Sequence, residues 1–158
     1  LVDLGYAVSI PSFMEIASKY ADGFTGYAAL AIPPEATPQG QALEARYKKM
    51  FKTDSMPFSV VPCVYDGVMA WAAAVEKVGD VKDYKAVSAT MKTNRYKGIG
   101  GVYDFNNPRQ AARAGDDLLP VNLFQAENGK LVLRNLGSKT MSPYQLPPWI
   151  KKPWPKAQ

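Results

Sequence analysis

Acid–base chemistry in this 158-residue chain would fall to carboxylates such as Glu15, Asp66 and Asp104, and no spacing pairs them. The sequence holds no His, so the commonest general base, pH switch and metal ligand is absent. The one Cys, Cys63, can form neither an intrachain disulfide nor a thiolate cluster and reads as a small buried hydrophobe. Gly98-Ile99-Gly100-Gly101 lacks a following Lys-Ser/Thr and a long helix, so it reads as a turn rather than a phosphate cradle. The residues therefore point to no catalytic group, metal or cofactor. They suit a binding protein better than an enzyme.

Composition sets wider limits. Hydrophobic residues make up 47% of the chain and charged residues 21%, a globular profile with enough length for a real core. No run approaches the roughly 20 apolar residues of a membrane span, so no membrane insertion is expected. The start has neither an initiator Met nor a basic leader and reads as a mature or truncated end. The net charge is +5, but Lys and Arg are scattered, with small clusters only at Lys48-Lys49 and Lys151-Lys152. A nucleic-acid binder would gather that charge on one face, so no nucleic-acid partner is expected.

The patterning predicts the elements that must position any site. Val2–Val8 reads as a short buried strand. Ser12 and Glu15 form a capping box for a helix whose apolar face is Phe13, Ile16, Ala17 and Tyr20. Residues 24–32 read as a strand ended by Pro33-Pro34, which cannot donate to a ladder. Thr37-Pro38 is an N-cap followed by Pro at the first helical position, before the stripe Leu43, Tyr47, Met50 and Phe51. Val60–Val78 reads as a long helix with Val64, Val68, Trp71, Ala72 and Val75 facing inward and Gly79 past its end. Asp83 caps a further helix presenting Tyr84, Val87 and Met91. Val102–Phe105 and Leu119–Gln125 read as strands, and Asn128-Gly129 as the turn of a hairpin returning over Lys130–Arg134. Residues 136–158 show no period and read as an extended tail docked through Trp149 and Trp154. The order β-α-β-α-α-α-β-β predicts an α/β fold short of strands, so a preceding segment is expected to complete it.

Four spans, in order, carry a resemblance. They are SFMEIASKYADGFTGYAAL, EARYKKMFKTDSMPFSVVPCVYDGVMAWAAAVEKVG, YKGIGGVYDFNNPRQA and LPVNLFQAENGKLVL. Together they resemble the later portion of the branched-chain amino acid binding proteins, which have the type I periplasmic binding fold. That resemblance implies two doubly wound α/β lobes joined by hinge crossovers, with only the later part in this chain. It implies that residues 1–33 belong to the second lobe, 34–115 to the first, and 116–135 to the second again as a closing hairpin, before the Pro-rich tail 136–158.

The function implied is that of an ABC importer's solute receptor, periplasmic, or lipid-anchored outside a Gram-positive cell. A sensing module of the same fold is the alternative. The implied partners are a small-molecule ligand, the missing N-terminal segment of the receptor, and an ABC permease. By resemblance, Gly5, Tyr6 and Ala7 line the ligand from one lobe, and Val60 and Val61 from the other. Amino acid binders of the family place a Glu near Tyr6 for the ligand ammonium. No carboxylate lies between Asp3 and Glu15 here, so an ordinary amino acid would leave that ammonium unpaired. An aromatic or aliphatic carboxylate suits Tyr6 better.

Overall fold

A computed structural model gives the fold, and it describes residues 5, 7, 10–29, 37–58, 60–109 and 111–146. The chain opens with α1 (Pro11–Ala17), a 3-10 turn (Ser18–Ala21) and β1 (Thr25–Ala29). Three helices follow: α2 (Pro38–Phe51), α3 (Val61–Val78) and α4 (Tyr84–Thr93). The short hairpin β2 (Tyr96–Lys97) and β3 (Val102–Tyr103) precedes β4 (Val121–Glu127), β5 (Lys130–Leu136) and β6 (Lys139–Thr140).

Local chemistry sets most helix ends. The Thr37 hydroxyl accepts the Gly40 amide at 3.0 Å, and Pro38 begins α2 without wasting a donor. Asp83 accepts the Ala86 amide at 2.9 Å and caps α4. Gly79 ends α3 in the left-handed region at φ 79°, a conformation that favours glycine. Ser12 does not take the cap position expected of it in a capping box with Glu15. Pro11 is already helical, which puts Ser12 inside α1 rather than at its cap.

The main sheet runs β1-β4-β5-β6 with every ladder antiparallel. Asn128 and Gly129, at φ 52° and 72°, close the β4–β5 hairpin as their positive-φ tolerance predicts. One face of the hairpin carries Phe124, Leu131 and Leu133, with Phe58 packed on them at a ring-centroid distance of 5.2 Å. The other face holds a buried polar network. Arg134, 3% exposed, donates to Glu127 at 2.7 Å, Gln125 at 3.0 Å and Ser142 at 3.2 Å. The Gln125 amide then pairs in both directions with the backbone of Gln145. The stretch after β6 is thus strapped across the sheet by hydrogen bonds. The docking expected of Trp149 and Trp154 lies outside the described residues.

Helix α3 overturns the expected inward face. Its buried residues are Pro62, Asp66, Ala70 and Ala74, one per turn. Val64, Val68 and Trp71 lie on the opposite side, 61%, 57% and 44% exposed. Met50 and Phe51, expected on the inner stripe of α2, are also exposed, as are Ile16 and Tyr20 of the first helical region. The small inward residues let α3 approach α4 closely, and the large apolar ones face away from the described chain.

Candidate functional site

The inward face of α3 meets the β2–β3 hairpin at Asp66, which is fully buried. Its carboxylate accepts the Ile99 amide at 2.9 Å, the Gly100 amide at 2.7 Å and the Tyr103 hydroxyl at 2.9 Å. The turn closes on itself through Gly98 N–H to the Gly101 carbonyl at 2.8 Å. Gly98 has no room for a side chain, because a Cβ there would lie 2.5 and 2.6 Å from the two Asp66 oxygens. Burial, then the adjacent Asp66 charge, pushes the Tyr103 phenol well above its ordinary range, so it stays a donor. The same two causes, in the same order, raise the Cys63 thiol, which keeps it from being a thiolate nucleophile.

Asp104 closes the far side of the hairpin. It accepts the Asn106 amide at 2.9 Å and pairs with Arg95 at 3.0 Å and Arg113 at 3.5 Å. The Asn106 amide and then the arginines hold its carboxyl below the usual range, against an opposing effect of burial. Asp66 and Asp104 do not form a catalytic pair: Asp66 serves two backbone amides and a phenol, and Asp104 a backbone amide and two arginines.

Among the described residues, three cavities flank this core. One of about 500 Å³ opens between α2, α3 and the Gly98 turn, with Arg46, Tyr65, Asp66, Tyr96 and Lys97 in its wall. One of about 420 Å³ lies behind the same turn and reaches Asp116, Asp117 and Lys139. A third, about 180 Å³ and largely apolar, lies between α3 and α4.

Of the residues expected to line a ligand, the four described ones lie outside these three cavities. Gly5 (φ 55°) and Ala7 belong to a 3-10 turn before α1, where Ala7 accepts the Ile10 amide at 3.1 Å. They do not lie in the expected strand; Tyr6 and the rest of Val2–Val8, apart from these two, lie outside the described residues. Val60, 53% exposed, is the N-cap residue of α3, and Val61 follows it half-buried. The amides of both turn back to the Pro57 carbonyl, at 3.2 and 3.0 Å. None of the four lines any of the three cavities. Arg46 and Lys97 had no signal in the sequence, since an isolated cation carries no mark of what it faces. No group of three or more potential metal ligands gathers among the described residues. No helix there is long and apolar enough to cross a membrane.

Solved ABC-transporter binding proteins of the type I periplasmic binding fold superpose on this fold. A protein from Silicibacter pomeroyi described as a branched-chain amino acid ABC transporter superposes with TM-score 0.76 at 22% identity. That match covers 95% of this chain and 41% of the other. The leucine binding protein LivK of Thermotoga maritima gives TM-score 0.60 at 18% identity, covering 81% and 35%. A solute binding protein of an ABC transporter from R. palustris, solved in complex with benzoate, gives 0.59 at 17%, covering 84% and 35%. The family model for periplasmic binding proteins matches residues 2–130, and the chain belongs to that family. It spans about two fifths of the length of the solved structures it resembles. No curated protein sequence matches it.

Proposed function

We propose that this chain is the later portion of a solute receptor that serves an ABC importer. Residues 1–33 belong to its second lobe, 34–115 to its first, and 116–135 to the second again, with 136–158 extending beyond. A small carboxylate-bearing compound, aromatic or hydrophobic, binds between the lobes. Gly5, Tyr6 and Ala7 line it from one side, Val60 and Val61 from the other. Contact with both lobes favours the closed form, and the closed receptor delivers its cargo to a membrane permease. The setting is the periplasm, or the cell surface on a lipid anchor in a Gram-positive organism.

The observation that carries this reading is the family match over residues 2–130. The ligand class rests on the missing carboxylate between Asp3 and Glu15, and a structural relative bound to benzoate supports it. The outward stripe Val64, Val68 and Trp71 supports a complementary N-terminal segment of the same receptor packed over α3.

Thermal unfolding of the full receptor with benzoate and with leucine tests the reading. Benzoate at 100 times its Kd should add about 2.7 kcal/mol and raise the Tm by a few degrees, roughly, while leucine leaves it unchanged. Stabilisation by leucine alone would overturn the ligand class. Stabilisation by neither, across a panel of organic acids, would overturn the receptor reading.

A further inference from the structure

The cavity of about 500 Å³ between α2, α3 and the Gly98 turn is lined by none of Gly5, Ala7, Val60 and Val61. Its size falls in the range of small-molecule sites. Arg46 from α2 and Lys97 from β2 both reach its wall, and neither has a hydrogen-bond or ion-pair partner among the described residues. Tyr65 and Tyr96 add two rings with hydroxyls, and Leu43 adds apolar surface. The remaining charge in the wall, Asp66, already has its oxygens occupied by Ile99, Gly100 and Tyr103. Two side-chain cations against this one carboxylate leave the wall with a net charge of +1 beside a half-apolar space.

On α3, the cavity lies opposite the outer apolar stripe. Asp66 sits on the buried face of α3, while the large uncovered side chains Val64, Val68 and Trp71 project from the opposite face. A packing polypeptide would bring apolar side chains to that outer stripe. The inner cavity offers charge and hydroxyls, which suit a small anion.

We infer that this cavity is a second ligand site, which takes a small organic anion: a carboxylate on a short apolar or aromatic body. Arg46 and Lys97 hold the carboxylate, in charge-assisted hydrogen bonds that are roughly twice as strong as neutral ones. The tyrosine rings and Leu43 hold the body. The site stands whether or not the cleft binds the same class of compound, because it shares no described residue with the proposed cleft.

Titration calorimetry on the full receptor tests it, with benzoate and its neutral isostere benzamide as probes. The proteins are wild type, R46Q/K97Q, and V60W, which fills the proposed cleft wall at an exposed position. A benzoate component that survives V60W, weakens about ten-fold or more in R46Q/K97Q, and is absent with benzamide establishes the site. An unchanged Tm in R46Q/K97Q separates lost binding from lost folding. If V60W removes all benzoate binding while R46Q/K97Q leaves it intact, the second site is refuted and the receptor reading stands. If benzamide binds as tightly as benzoate, the cations do not recognise charge and the inference falls.

Discussion

Asp66 shows how one buried carboxylate can organise a backbone. Two amides of a glycine-rich turn and one phenol converge on it, from residues 33 to 37 positions further along the chain. Asp66→Ala would leave the buried Ile99 and Gly100 amides unpaired, so the full receptor should lose about 3 kcal/mol or more in denaturant unfolding. Gly98→Ala should destabilise comparably, since the added methyl meets the same carboxylate. Asp104 makes a prediction about pH. Its folded-state carboxyl is held below the usual range, so its stabilising contribution is complete above the ordinary carboxylate pKa of about 4. That contribution fades as pH falls through the lowered folded value. Asp104→Asn should therefore reduce stability at neutral pH and flatten its decline in acid, as seen in unfolding curves taken from roughly pH 6 down to pH 2. The turn itself was legible, because four residues with three glycines have few other uses. Its partner was not, because nothing local in the Tyr65-Asp66 pair points to a loop so distant in sequence.

At the scale of elements, short-range rules decided what could be read. Thr37-Pro38, Asp83, Gly79 and Asn128-Gly129 each act on a neighbour within four residues, and each sits where its chemistry requires. The orientation of α3 was misread for a physical reason. Val64, Val68 and Trp71 form the strongest apolar stripe, and such a stripe normally faces the core. Here the inward contacts use Pro62, Asp66, Ala70 and Ala74 instead, and the stripe faces outward. Val68→Asp should thus behave differently in two settings. In the 158-residue chain alone it should leave stability unchanged and improve solubility. If a complementary segment covers the stripe in the full receptor, the substitution should cost roughly 3 kcal/mol there in denaturant unfolding, because a charge would be buried without a partner. Equal effects in both would remove the case for a covering segment. The strap after β6 gives a second element-level test. Arg134→Met keeps the bulk but removes the donors to Glu127, Gln125 and Ser142. Residues 141–146 should then become accessible to limited proteolysis, with a loss of about 2 kcal/mol of stability.

At the scale of the molecule, the outward faces of α1, α2 and α3 describe one shared condition. Ile16, Tyr20, Met50, Phe51, Val64, Val68 and Trp71 are each at least 44% exposed, and large uncovered apolar surfaces mark sites where polypeptide packs. The sequence already pointed this way through its shortage of strands, and the described sheets contain antiparallel pairings only. The parallel core of each expected lobe needs strands from further polypeptide. The family was legible because its signals are ordered along the chain, whereas the proposed ligand site would draw on residues that a second segment brings together.

Hydrogen exchange across α3, measured in the 158-residue chain alone and in the full receptor, tests that central claim most directly. The account predicts rapid exchange over residues 64–71 in the chain alone and slowing by orders of magnitude once the remaining polypeptide packs on the outer stripe. Equal, strong protection in both preparations, with cooperative unfolding of the chain by itself, would contradict it.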